Sequence, residues 1–257
     1  MADGGQGARP RRRGRVFRER RDVLGEYSDS ELLERYRFDR AGIMFITDLV
    51  KEEIQSGTMR NRAISPLLKV VVTLRYLATG RMQLCGGDDL GMSQPTVSRI
   101  ITQTTEALAS PNIVNQFIKF PTSQAAVDRN VQQFRIMSGF PGVVAAIDGT
   151  HVRIVAPADN EPLYVNRHRY HSINVQVACD ANYCLLDVVA QWPGSTHDSR
   201  ILHQSALKQL FERGIVPQGC HMLGDSGYPC LTWLLTPFLP PRRHHHQLEE
   251  YQVAYNR

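Results

Sequence analysis

Val144-Ala145-Ala146-Ile147-Asp148-Gly149-Thr150-His151 and Met222-Leu223-Gly224-Asp225-Ser226-Gly227-Tyr228 decide how this chain is read. Each phrase runs an apolar strand into a glycine-containing turn and sets one aspartate at the break. A lone carboxylate is excluded from a buried strand because an unpaired buried charge is costly. At a strand's end, beside a glycine that admits other groups, the same carboxylate can hold a hard cation. Two such ends laid side by side would hold magnesium.

Working outward from the first phrase, Gly142 to Ile154 is expected to be a strand interrupted by Asp148-Gly149. Ser172-Ile173-Asn174-Val175-Gln176-Val177 alternates strictly, as a half-buried strand does. Asp180-Ala181-Asn182-Tyr183 reads as a turn and Leu185 to Ala190 as a third strand, completing an antiparallel meander. Gly194-Ser195-Thr196-His197-Asp198 then caps one helix through Leu202 and Leu210 to Gly214. A fourth strand, His221 to Leu223, follows that helical crossover and can therefore lie parallel to an earlier one. Laid beside the first strand, it makes Asp148 and Asp225 neighbours.

Upstream, Leu24 to Leu108 has helical spacing. Ser30 to Tyr36 and Ala41 to Ile54 form two helices, the first capped by Ser28 or Asp29. Gly57 opens a polar loop through Arg62. Ser65-Pro66 starts an apolar helix, Leu67 to Ala78, ended by Gly80, and a shorter helix runs from Arg81 towards Leu90. Gly91-Met92-Ser93-Gln94-Pro95-Thr96-Val97-Ser98-Arg99 feeds a further helix to Leu108. Two helices across a tight glycine turn outline a helix-turn-helix. Ser93, Gln94, Thr96, Ser98 and Arg99 are the side-chain types that meet bases and phosphates from such a helix. A plain three-helix packing unit with a polar end fits the same pattern.

Composition narrows the class. At 257 residues and 42% hydrophobic, the chain can bury a substantial core, yet its apolar runs are too short to cross a bilayer. No secretory signal is read at the start. Five cysteines without a Cys-x-x-Cys pair point to reduced thiols in an intracellular protein and against structural zinc. No phosphate-cradling glycine loop is present. The net charge of +5 resides in residues 1–22, where eight arginines face three acids. That segment is expected to be disordered and reads as an import or phosphate-contacting arm, or as a solvated terminus.

A meander, a crossover helix and a fourth strand, with aspartates on the first and fourth strands, resemble the ribonuclease-H-like nuclease fold. The wording goes further. Val144 to Val152, Tyr164-Val165-Asn166-Arg167, Ser172 to Gln176, Trp192-Pro193-Gly194-Ser195-Thr196-His197-Asp198-Ser199 and Leu223 to Tyr228 resemble the PIF/Harbinger transposases and the nucleases derived from them. The likeness extends through Ile118-Lys119-Phe120-Pro121, Ser93 to Arg99 and Tyr27-Ser28-Asp29. It implies an α/β chain in three parts: a basic arm over 1–23, a helical region with helix-turn-helix over 24–120, and a ribonuclease-H-like DDE nuclease domain over 121–257.

The resemblance further implies a DDE endonuclease that uses a divalent cation, Mg or Mn. Asp148 and Asp225 match its catalytic, metal-holding aspartates. Asp198 matches a further acid, as metal ligand or as the cap of its helix. DNA is the implied partner, beside a Myb-like nuclear protein, with no membrane association, no stated oligomer, and a location in the nucleus or also the cytoplasm. The family's last acid, a glutamate in a Glu-Arg-x-Phe phrase, would lie beyond Arg257. Glu249 and Glu250 precede the Tyr255-Asn256 landmark, so the chain is expected to be truncated and its two-ion site impaired. A non-catalytic DNA-binding or partner-scaffolding protein of transposase origin is the alternative. Arg167 and Arg169, in the basic stretch that includes His168 and His171, are candidate phosphate contacts. His151 reads as structural, His244 to His246 as a surface tract, and Trp192 and Trp233 as packing residues.

Overall fold

Hydrophobic spacing and capping chemistry account for the first helices. The computed structural model describes residues 22–57 and 63–238. Most of the basic arm, Thr58 to Arg62, His244 to His246, Glu249, Glu250 and Tyr255-Asn256 lie outside the described residues. After a single turn, α1 (Val23–Glu26), Ser28 caps α2 (Asp29–Tyr36) with a full capping box to Glu31. The box satisfies backbone donors that a helix start leaves open. Asp39 caps α3 (Arg40–Ile54). Ser65 and Pro66 start α4 (Pro66–Thr79), and Gly80, in the left-handed region, ends it. Then come α5 (Gln83–Leu90), α6 (Gln94–Leu108) and α7 (Pro111–Phe117).

The chain forms two compact units, divided between Val114 and Asn115. The first is helical. Leu32, Ile43, Val50, Ile54 and Val70 are wholly buried at its centre. Burial at this scale stabilises by roughly 1.5–3 kcal/mol per large aliphatic side chain. Lys69 is also buried, with its ammonium donating to the Ile54 carbonyl at the end of α3 and to Gln103 Oε1 at 2.9 Å.

The second unit opens on α8 (Gln124–Ser138) and continues through β1 (Val143–Arg153), the short α9 (Glu161–Tyr164), β2 (Ser172–Cys179) and β3 (Leu185–Pro193). Two helices follow, α10 (Asp198–His203) and α11 (Ala206–Glu212), then β4 (His221–Gly224) and β5 (Leu234–Leu235). The strand order is β3-β2-β1-β4-β5. β1, β2 and β3 pair antiparallel, whereas β4 lies parallel to β1, and β5 parallel to β4. An antiparallel meander extended by parallel strands across the first strand is the ribonuclease-H-like arrangement, and this α/β unit has it.

Four expectations need correction or addition. β1 is not interrupted at Asp148-Gly149 but runs unbroken to Arg153, because both residues stay paired with Val177 and Gln176 of β2. The crossover is not one helix to Gly214 but two, because Ser205, buried in the break, caps α11 by accepting from the Lys208 amide. α8 was not anticipated, although Val127, Val131 and Phe134 recur at helical spacing and face the core. β5 was not anticipated either, being too short to show a period. The core of this unit packs Ala145, Ile147, Ala178, Leu202, Leu207, Phe211, Met222 and Leu234 together. Trp233 stacks on Phe211, as expected of a packing residue. Among the described residues no helix is long and apolar enough to cross a membrane.

Candidate functional site

Parallel pairing sets Ile147 opposite Gly224, so Asp148, which is within β1 and paired with Val177 of β2, lies beside Asp225, the first residue past the end of β4. Both are exposed. Each carboxylate is held by a backbone amide just after it in the chain. Asp148 Oδ1 accepts from the Gly149 amide at 2.7 Å, and Asp225 Oδ1 accepts from the Gly227 amide at 2.9 Å. Asp198, the first residue of α10, reaches both glycines. Its Oδ1 lies where a side chain on Gly149 would stand, 2.3 Å from that methyl position, and its Oδ2 lies 3.2 Å from the equivalent position on Gly227. A methyl at Gly149 would therefore displace Asp198, whereas one at Gly227 would need only a small adjustment. Asp198 is not its helix's side-chain cap, because the cap residue is His197. Its Oδ1 instead accepts from Asn174 Nδ2 at 2.9 Å, and the same amide also donates to the Thr196 carbonyl at 2.8 Å.

Tyr228 lies buried near the acids. Its ring lies against Gly224, Ile147 and Leu234, and its buried hydroxyl has no hydrogen-bond partner. Burial first, then the charges of Asp198, Asp148 and Asp225, push the phenol far above its ordinary range. The phenol therefore keeps its proton. Among the described residues no ion pair neutralises any of the three acids.

The donor chemistry fits a hard divalent cation: oxygen ligands only, negative, part-exposed, and uncompensated. Magnesium needs only one or two carboxylates beside waters and substrate phosphate. Asp148 and Asp225 are the residues that would hold it, with Asp198 next to them. Among the described residues, however, no three His, Cys, Asp or Glu side chains are gathered closely enough to cage a metal. Like charges brought close without a counter-ion repel, and here each carboxylate turns to its own local donor.

The remaining candidates divide. Ser93, Gln94 and Arg99 are exposed at the start of α6, while Thr96 and Ser98 are half-buried. Gly91, Met92 and Ser93 make a tight turn between α5 and α6. Ser93 Oγ bonds Thr96 Oγ1 at 2.9 Å, Gln94 donates to Gln83, and Arg99 Nε donates to the Pro95 carbonyl. Arg167 and Arg169 lie exposed in the turn between α9 and β2. Arg169 holds a left-handed φ of 62°. His151, read as structural, does have a buried partner: Ser172 Oγ lies 3.1 Å from its Nδ1.

Sequence reasoning missed Tyr228, Asn174 and the two glycine contacts. Gly-Asp-x-Gly-Tyr signals a strand-end turn but not that its tyrosine inserts into the core. Asn174 was seen only as one position in an alternating strand.

Residues 147–257 match the family described as DDE superfamily endonuclease. The protein HARBI1 of Rattus norvegicus, described as a candidate nuclease, is 38% identical over 218 residues, which cover 85% of this chain and 62% of that protein. HARBI1 of Homo sapiens is 37% identical with the same coverage. An Arabidopsis thaliana protein named ALP1-like is 29% identical over 238 residues, 85% of this chain and 57% of its own. The chain therefore spans less than two thirds of the length of these relatives. A solved Mos1 transposase paired-end complex is similar at 12% identity, covering 71% of this chain and 60% of that one; its TM-score of 0.24 is too low to bear on the fold. Strand order, the neighbouring aspartates and these matches agree: residues 147–257 match the DDE superfamily endonucleases, and the chain is similar over 85% of its length to the HARBI1 proteins.

Proposed function

We propose that this protein is a divalent-metal-dependent DNA endonuclease of transposase descent. The observation that carries the reading is the position of Asp198, which stands against Gly149, next to Asp148, and against Gly227, two residues after Asp225. Mg or Mn, when bound there, would supply an activated water and charge neutralisation at the scissile phosphate. The chain's own residues do the rest. Asp148 and Asp225, fixed by the amides of Gly149 and Gly227, offer negative oxygens in a constant place. Asn174 holds Asp198 beside them. Tyr228, buried and protonated, offers an O–H to whichever carboxylate turns towards it. Supercoiled plasmid is the direct test. The protein should nick it only with Mn or Mg, and Asp148→Ala and Asp225→Ala should each remove the nicking. Nicking by Asp148→Ala at the unmodified rate would refute the assignment.

A second reading has its own observation. The acids are not gathered into a metal cage, whereas α5, its turn and α6 stand ready as a helix-turn-helix with Gln94 and Arg99 exposed. On this reading the protein binds DNA, or a Myb-like nuclear partner, without cutting. Binding that needs Gln94 and Arg99, with no metal-dependent nicking, would favour it. A nuclear location belongs to both readings.

A further inference from the structure

Beside the acids, one tyrosine gathers the basic side chains of β1 and of the turn before β2. Arg153 lies over the Tyr170 ring at 4.4 Å, His168 stacks on it at 6.2 Å, and His151 meets it edge-on at 6.5 Å. Arg167 joins through His168, with Nε 3.3 Å from the imidazole Nε2. Neither Arg153 nor Arg167 is ion-paired with another described residue. Exposed guanidinium groups with no carboxylate partner, fixed by an aromatic face, are suited to a phosphate.

His151 is the member nearest the acids, and a buried relay fixes which of its nitrogens carries hydrogen. Asn166 Oδ1 accepts from the amides of His168 and Tyr170, at 2.9 and 3.4 Å. Its Nδ2 must therefore donate, and it does so to Ser172 Oγ at 2.9 Å. Ser172, wholly buried, then has one hydrogen to give and gives it to His151 Nδ1. An Nδ1 that accepts leaves the hydrogen of a neutral imidazole on Nε2. Burial first, with Arg167 and His168 also acting against the charge of Asp198, keeps His151 below its ordinary range, in keeping with the neutral ring.

We infer that His151, Arg153, Arg167 and His168 form a phosphate clamp for the DNA backbone, in which the Asn166–Ser172 relay aims His151 Nε2–H at a phosphate oxygen. The clamp rests on the endonuclease reading for its purpose but not for its test, since every measurement is made in EDTA. Binding of a short DNA duplex to the full chain is followed by fluorescence anisotropy across salt concentrations. Each phosphate contact contributes about 0.9 to the slope of log K against log salt. Arg153→Ala with Arg167→Ala should therefore flatten the slope by about 2. In parallel, long-range proton–nitrogen correlation spectra should show His151 protonated at Nε2, with its Nε2 signal moving on addition of inorganic phosphate. That movement should vanish in the double arginine variant, and Ser172→Ala should mix the tautomers. An unchanged slope, no duplex binding at low salt, or a His151 hydrogen on Nδ1 would overturn the clamp. Both signatures in a protein that never nicks DNA with Mn would leave the clamp standing and remove the endonuclease reading.

Discussion

Gly149→Ala should dislodge Asp198, and the size of the effect follows from the contacts. The new methyl would stand 2.3 Å from Asp198 Oδ1 and 2.8 Å from its carboxyl carbon. The carboxylate can swing away, but only by releasing the 2.9 Å bond from Asn174 Nδ2. A hydrogen bond to a charged group contributes about 1.5–3 kcal/mol. Asn174 keeps its bond to the Thr196 carbonyl, so the loss belongs at the low end, about 1.5 kcal/mol. Replacing glycine in a strand returns about 0.5–1 kcal/mol of chain entropy, leaving a net cost of about 1 kcal/mol. Urea unfolding read by tryptophan emission isolates this unit, because Trp192 and Trp233 both lie in it. The decisive measurement is the double-mutant cycle. In an Asp198→Ala background the same glycine change should cost nothing, or stabilise slightly, giving a coupling of about 1.5 kcal/mol. Equal costs in both backgrounds would refute the contact between Asp198 and Gly149.

Other outcomes follow from single residues. Gly194→Ala would place a methyl 2.3 Å from Ser172 Oγ and within 2.8 Å of the Tyr164 and Ser172 carbonyls. Backbone cannot yield as a side chain does, so a loss of about 3 kcal/mol is expected, visible as a lower melting temperature. Gly87→Ala meets the Met92 carbonyl at 2.6 Å. The helix-propensity gain of about 1 kcal/mol should lose to that clash, and amide exchange in α5 should quicken. Asp187 is half-buried with Oδ2 unpartnered, and burial raises its pKa above the ordinary 3.8. Its folded form therefore holds the proton more tightly than the unfolded chain. Stability from this group is greatest at low pH and falls as pH rises from the unfolded value through the folded one. Asp187→Asn should thus stabilise the protein at pH 7, by about 1 kcal/mol, and flatten that decline in urea midpoints measured from pH 3 to 7.

Much of the nuclease unit was legible because its strands obey period two and its turns carry glycine. Ser172 to Val177 alternates, and the run Leu185 onward follows a turn whose Asp180 side chain accepts from Asn182 and Cys184 amides. The parallel return of β4 followed from the helical crossover alone. What escaped were pairings far apart in the chain. Nothing local says that Asp198 will stand over Gly149, since only the packing of α10 on the sheet brings them together. Tyr228 likewise looks like a turn residue until its ring is seen in the core. The break at Ser205 was readable as a cap signal within an otherwise apolar helical run, and the apolar period there hid it.

The central position of β1 carries a kinetic consequence. Its hairpin with β2 closes a short loop, whereas its pairing with β4 must wait until the chain from Ile147 to Gly224 has been made and brought back. Distant pairings form late because loop closure precedes any reward. A ribosome-bound chain would thus carry a finished meander, with Asp148 still apart from Asp225, for some time. The two aspartates would become neighbours only as the sheet is completed.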